Sequence, residues 1–197
     1  MNLTRRQFSK LTSTSLLALA TGASISLIGC NVFNDILNWV PVGISAIEGI
    51  VTVLGPLVSP GALAIIALVK IAFADLSATV TEYNNDTNPA DKATLLAKIR
   101  TILNDIVTNF QSFLDQLNLA NNPIIAIVIG LANVVLSAIA GFLGQLPVSG
   151  TRVMATSFRV NGQMTTVVPH YYKHASDFRN AYNAVCAADG HAKIEIK

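Results

Sequence analysis

Apolar residues recur at three- and four-residue steps along most of this chain, and prolines that follow a polar residue divide the pattern into segments. Ser59-Pro60, Asn88-Pro89 and Asn122-Pro123 each put a side-chain acceptor directly before a proline. The Ser or Asn oxygen can take an orphan N–H of the first helical turn. Proline loses nothing there, because its missing N–H had no partner inside the helix. Asp91, three residues after Asn88, completes an acidic variant of the capping box at the positive end of a helix. These marks predict four helices, over about 33–57, 60–83, 89–118 and 123–145. Pro41 and Pro56 are expected to bend or end the first, and Asn84-Asn85-Asp86 to close the second.

The third segment carries a clear stripe: Leu96, Ile99, Leu103, Ile106, Phe110, Phe113 and Leu117 step alternately by three and four. That spacing sets one apolar face against a polar one. The fourth segment is apolar all round, and no charged residue occurs from Gln116 to Thr151. A helix of that kind is the central member of a bundle or a membrane span. From Pro123 to Leu146 it would measure about 36 Å, sufficient to cross a bilayer. Small residues four apart (Ala126 and Gly130, Ser137 and Gly141, Ala140 and Gly144) would let a neighbour approach closely. A second uncharged run, Gly49–Val69, is broken by Gly55-Pro56 and Ser59-Pro60 and reads as two helical halves meeting at a turn.

Beyond Gly150 the texture changes. Arg152–Val160 and Gln163–Val168 are rich in Val, Thr and Phe, and they flank Asn161-Gly162. Asn-Gly between two such runs signals a hairpin, because both turn residues must accept positive φ. A short helix is expected over about Ser176–Ala188, stopped at Gly190, and a last short strand at Ile194–Ile196. The fold expected is mainly α: a four-helix bundle-like core over 30–148, with a small β-hairpin plus short helix over 149–197 packed on it.

The first thirty residues bear on location. Thr4-Arg5-Arg6-Gln7-Phe8-Ser9-Lys10 precedes a run rich in Ser, Thr, Ala and Gly, and Leu27-Ile28-Gly29-Cys30 closes it. The layout is a charged region, a short apolar region and small residues before a cut. It resembles the twin-arginine signal peptide of bacterial lipoproteins. Arg5, Arg6, Phe8 and Lys10 match the signal, Ser9 replaces its usual Leu, and Leu27, Ile28 and Gly29 match the lipobox before Cys30. The resemblance implies removal of residues 1–29, acylation of Cys30, and export of an already folded chain to the extracytoplasmic face of a membrane. Asn31, where Asp would retain the protein at an inner membrane, implies the outer membrane in a Gram-negative cell. The competing reading, a permanent N-terminal span, is weakened by four Ser, three Thr and two Gly within 11–29.

Charge changes with that processing. The full chain has a net charge of +2, but loss of Arg5, Arg6 and Lys10 leaves ten basic residues against eleven acidic ones. No concentrated basic patch exists for a nucleic acid. With Cys30 acylated, Cys186 has no partner for a disulfide within the chain, and it is expected as a buried small hydrophobe.

Few residues carry candidate chemistry. His170 and His174 are four apart and form a weak metal candidate, but Pro169 precedes them and no Glu follows in a zinc-hydrolase pattern. No phosphate-binding glycine loop, nucleophile elbow or CxxC pair occurs. No cofactor is expected, and the chain is not read as an enzyme. Lys70 lies in an apolar helix, where it is expected to pair with Glu48 or Asp75 or to carry its ammonium to water. Trp39 fits either the headgroup level of a membrane or the core. The expected role is structural or interactive at the cell envelope, through a protein partner or self-association. The alternatives are a carrier of a lipid or other apolar ligand, and a membrane-inserting helical protein with spans at 123–146 and 49–69.

Overall fold

The computed structural model describes residues 25–117, 124–147, 156–160, 163–188, 190, 195 and 196. Four long helices come first: α1 (Ile25–Leu54), α2 (Pro60–Asn85), α3 (Pro89–Asp115) and α4 (Ile125–Gln145). Strands β1 (Thr156–Val160) and β2 (Gln163–Val167) and helix α5 (Ala175–Ala188) follow. The fold is mainly α, as the periodicities require.

The caps work as the sequence implies, with one change. Ser59 Oγ accepts from the Ala62 N–H at 3.1 Å. Asn88 Oδ1 accepts from the Ala90 N–H at 3.0 Å. The Asp91 carboxylate, however, takes the Asn88 side-chain amide at 2.7 Å. The Asn88 backbone N–H is already donated to Asp86 Oδ1 at 2.7 Å, so the reciprocal bond of a capping box has no donor left. Asn122-Pro123 lies outside the described residues.

Pro41 sits inside α1 without ending it. Its ring is exposed, while Ile36, Trp39, Val40 and Val42 on either side are buried. Packing of those flanks outweighs the one helical bond that proline removes. The break falls instead at a 3₁₀ turn, Gly55–Leu57, where Gly55 adopts φ +49°. That conformation suits a residue without Cβ.

Around the bundle, α1 packs on α2 and α4, α2 on α3, and α3 on α4. Helix α5 lies on α1 and α4, and the strands pack against α3 and α4. A single hydrophobic core joins all five helices. Trp39 is its hub, with ring centroids 5.4 Å from Phe73 of α2, 5.2 Å from Phe142 of α4 and 5.6 Å from Phe178 of α5. The core therefore holds Trp39, at 1% exposure. Cys186 is buried in the same core, as a small hydrophobe should be.

The α3 stripe is buried from Ile99 onward, but in the second turn of the helix Leu95 replaces Leu96, which is only half-buried. Ile102 and Leu114 join the buried set. Because α3 is flanked by both α2 and α4, its buried arc is wider than one stripe. Helix α4 is the most enclosed long helix, with Leu131, Ala132, Val135, Ala138, Ile139 and Phe142 all at 0% exposure.

β1 and β2 pair antiparallel, with Val160 opposite Gln163. Two residues separate them, Asn161 and Gly162, which lie outside the described residues. The expected last strand does not form at Glu195-Ile196, and Ile194 lies outside the described residues. The backbone of Ile196 is satisfied by one side chain instead. Asn183 Oδ1 accepts from its N–H at 2.8 Å, and Asn183 Nδ2 donates to its carbonyl at 3.0 Å.

Candidate interaction surface

Helix α2 has an apolar surface on two sides, and only one of them is used. Ala62, Ile66, Val69, Phe73, Leu76, Val80 and Tyr83 face the core. Outside that face Leu63, Leu68 and Ile71 are 47%, 53% and 58% exposed, and Leu57 of the preceding turn is 40% exposed. Gly61, Ala64, Ala67 and Ala74 are exposed among them. The most apolar stretch of α2 is one-third buried, against 61% for that of α4. Scattered exposed leucines are ordinary, but a contiguous apolar band marks a surface that meets something.

Beside this band a groove of about 340 Å³ runs between α1 and α2, lined by Val51, Thr52, Leu63, Ile66 and Ala67 and edged by Glu48 and Lys70. Lys70 Nζ lies 2.6 Å from Glu48 Oε1, with both side chains about half exposed. Of the two partners open to Lys70 in the sequence, it takes Glu48 and also reaches water. The pair cancels the charge beside the band without burying either ion.

A second cleft, of about 280 Å³, lies between α4 and the segment after β2, lined by Asn133, Ser137, Thr166, Val168 and Tyr172. Ser137 Oγ donates to the Val168 carbonyl at 2.6 Å, and the His170 N–H donates to the Ser137 carbonyl at 3.0 Å. These bonds fasten an extended strap, Val168–His174, along α4. The strap approaches so closely at Gly141 that a Cβ there would stand 2.2 Å from the His170 carbonyl oxygen. The small residues of α4 thus admit two neighbours. Gly130 faces Val185 of α5, and Gly141 faces the strap rather than a helix.

Three tyrosines seal this side. Tyr182 donates to the Ala46 carbonyl at 2.9 Å, and Tyr171 donates to the Asp35 carboxylate. Burial, and after it the bond to Asp35 and that residue's charge, hold the Tyr171 phenol protonated well above its ordinary range. Burial and then the neighbouring Cys186 do the same for Tyr182, and burial alone raises Tyr172. These are fixed, neutral phenols, unsuited to proton transfer near neutrality.

The sequence candidates fall in different places. Arg5, Arg6, Phe8 and Lys10 lie outside the described residues. The backbone of Leu27, Ile28, Gly29 and Cys30 belongs to the first turns of α1, and their side chains lie outside the described residues. His170 packs on Tyr172 with centroids 4.4 Å apart, and His174 uses its carbonyl to accept from the Asp177 N–H at 3.0 Å as α5 begins. Among the described residues no group of three or more His, Cys, Asp or Glu could hold a metal. Arg100 was not singled out by the sequence. Its guanidinium donates to the Leu146 and Pro147 carbonyls at 3.0 and 2.8 Å, closing the negative end of α4.

Comparison with protein-family models, with characterised proteins and with solved structures returns no match. Three helical stretches, Asn31–Leu57, Pro60–Asn85 and Ile125–Gln145, are long and apolar enough to cross a membrane, which is compatible with membrane association.

Proposed function

We propose that this chain is a non-catalytic, lipid-anchored protein of the cell envelope, held to a membrane by acylated Cys30 and acting through a docking surface on its helical bundle. The observation that carries the docking role is the apolar band of α2, with Leu63, Leu68 and Ile71 about half exposed. A bundle with no further role at its surface gains solubility from charge at such positions. The twin-arginine and lipobox resemblance supplies the anchor and the export route. Folding before export suits a bundle whose core unites helices far apart in sequence, such as α1 and α5.

The test is the mass of the mature N-terminus, isolated from cells that process such signals. The expected species begins at Cys30 and carries fatty acyl chains, and Cys30→Ala moves the protein from the membrane to the soluble fraction. Retention of residues 1–29, or an unmodified Cys30, overturns the anchor. A carrier of a lipid or other apolar ligand would use the groove beside the band, which is at the small end for ligand pockets. Lipid extracted from the washed Cys30→Ala protein would favour that reading.

A further inference from the structure

The chain after β2 runs along α4 nearly in step with it. Ser137 holds Val168 and His170, and one turn further on Gly141 faces His170 and Tyr171. Two extended residues advance about 7 Å and four helical residues about 6 Å, so the register holds over short distances. One turn before Ser137 the same register sets Asn133 opposite Thr166, and both line the cleft of about 280 Å³. Here the fastening is missing. Asn133 Oδ1 is buried and has no hydrogen-bond partner among the described residues. A buried amide oxygen without a donor is costly and calls for a partner.

The strand edge across the cleft is open as well. Val160 and Gln163 flank a two-residue loop and form a hydrogen-bonded pair, so bonded and non-bonded pairs alternate from there. Thr166, opposite Ser157, falls in a non-bonded pair. Its N–H and C=O therefore point away from β1. Val168 has the same parity, and its carbonyl does turn outward, to Ser137. Among the described residues β2 has no second partner strand, and no backbone group pairs with the outer edge of Thr166. Met164 and Val168, two residues to either side on the same face, are both more than half exposed.

We propose that this cleft takes the backbone of a short, extended, uncharged peptide segment, which adds to the outer edge of β2 at Thr166 and donates an N–H to Asn133 Oδ1. Strand alternation supplies the geometry. A residue paired with Thr166 turns its N–H and C=O toward β2, and its neighbours turn theirs the other way, toward α4. One added strand thus satisfies both walls. The chemistry of the lining selects the ligand. An unpaired acceptor repels an anion, and among the described residues no carboxylate lines the cleft to hold a cation. Of neutral ligands, a peptide backbone carries donors and acceptors in alternation at strand spacing, which is what Thr166 and Asn133 present. The Ser137–Val168 bond closes one end of the cleft, so the segment is short. Met164 and Val168 favour apolar side chains on its outer face. Neither acylation of Cys30 nor the band on α2 enters into this site.

The experiment uses the full chain with Cys30→Ala and a library of short, capped, uncharged peptides with Val or Ile at alternate positions. The expected result is enrichment of a peptide that binds and that slows hydrogen exchange of the Thr166 amide. Methylation of its backbone nitrogens, one at a time, should weaken binding about tenfold at the positions that meet Thr166 and Asn133, and little elsewhere. Asn133→Leu should weaken binding by a similar factor while leaving the urea midpoint unchanged or raised, because it removes an unsatisfied acceptor at similar volume. Thr166→Pro, which deletes the outward N–H and spares the bonds to β1, should block binding too. Circular dichroism confirms that both variants fold. Recovery of no peptide overturns the proposal and leaves a bound water as the partner of Asn133. Binding that survives methylation of every backbone nitrogen overturns it, since side chains alone would then make the contact. Binding that survives both Asn133→Leu and Thr166→Pro also overturns it, because the peptide would then lie elsewhere on the molecule.

Discussion

The Tyr171 hydroxyl donates to the Asp35 carboxylate, joining the strap after β2 to the third turn of α1. The two residues are 136 positions apart in sequence, so the bond closes the bundle on itself. Both side chains are only part-buried. Tyr171→Phe should therefore cost about 1.5 kcal/mol, the low end for a hydrogen bond to a charged group. Asp35→Asn, which keeps an acceptor, should cost less. A double-mutant cycle in urea unfolding isolates the pair, and a coupling near zero would show that the strap is held by packing on Gly141 alone.

Alkaline pH should test the same seal. Burial raises Tyr171, Tyr172 and Tyr182 above the ordinary phenol value of 10.0. In the unfolded chain these phenols ionise near that value, while in the folded chain they stay protonated. Their contribution is thus complete below pH 10.0 and is lost as pH rises toward the raised native values. Urea midpoints should be flat from about pH 7 to about pH 9 and fall beyond it. Tyr182→Phe lowers stability near neutral pH, because the bond to the Ala46 carbonyl is lost, but its alkaline decline should be shallower. A decline of unchanged steepness would assign it to other groups.

Two glycines of α4 should respond to alanine with opposite sign. At Gly141 the new Cβ would stand 2.2 Å from the His170 carbonyl oxygen and 2.7 Å from the Tyr171 nitrogen. Backbone must move, and overpacking of that kind costs about 1–3 kcal/mol, more than the roughly 1 kcal/mol gained in helix propensity. Gly144 has nothing within 4 Å of its would-be Cβ, so Gly144→Ala should raise stability by about 0.5–1 kcal/mol. Thermal unfolding of the two variants reads both signs.

The contrast shows what a sequence can disclose. Local chemistry was legible: Ser59 and Asn88 cap helices, the α3 stripe is buried from Ile99 to Leu117, and the strands flanking Asn161-Gly162 pair. Each of these depends on residues a few positions apart. Long-range choices were not legible. Periodicity cannot say which side of α2 is covered, because Leu63 and Ile66 are equally apolar and only the placement of α1 and α3 separates them. Pro41 reads as a breaker until its flanks are seen to be buried. The small residues of α4 predicted close approach, but not that a strap would be the neighbour at Gly141. The surface proposed for function is visible only once packing has left Leu68 and Ile71 outside.

The Glu48–Lys70 pair should matter little to stability. Its side chains are about half exposed, and pairs of this kind contribute about 0–1 kcal/mol, less in high salt. Lys70→Met is expected to shift the urea midpoint only slightly, and the shift should shrink further in molar salt. A large, salt-insensitive loss would mean that the Lys70 stem, packed along the groove, carries the effect instead.

Ile71 and Phe73 separate surface from core on one helix. Ile71 is 58% exposed and Phe73 is 0% exposed, with the Phe73 ring against Trp39 at 5.4 Å. Phe73→Ala removes a ring from the centre of the aromatic cluster and should cost about 3–5 kcal/mol. Ile71→Asn changes no buried contact and should stay within about 0.5 kcal/mol of the parent. Urea unfolding of the two variants reads the difference. If Ile71→Asn instead destabilises strongly, its side chain is covered within the folded monomer.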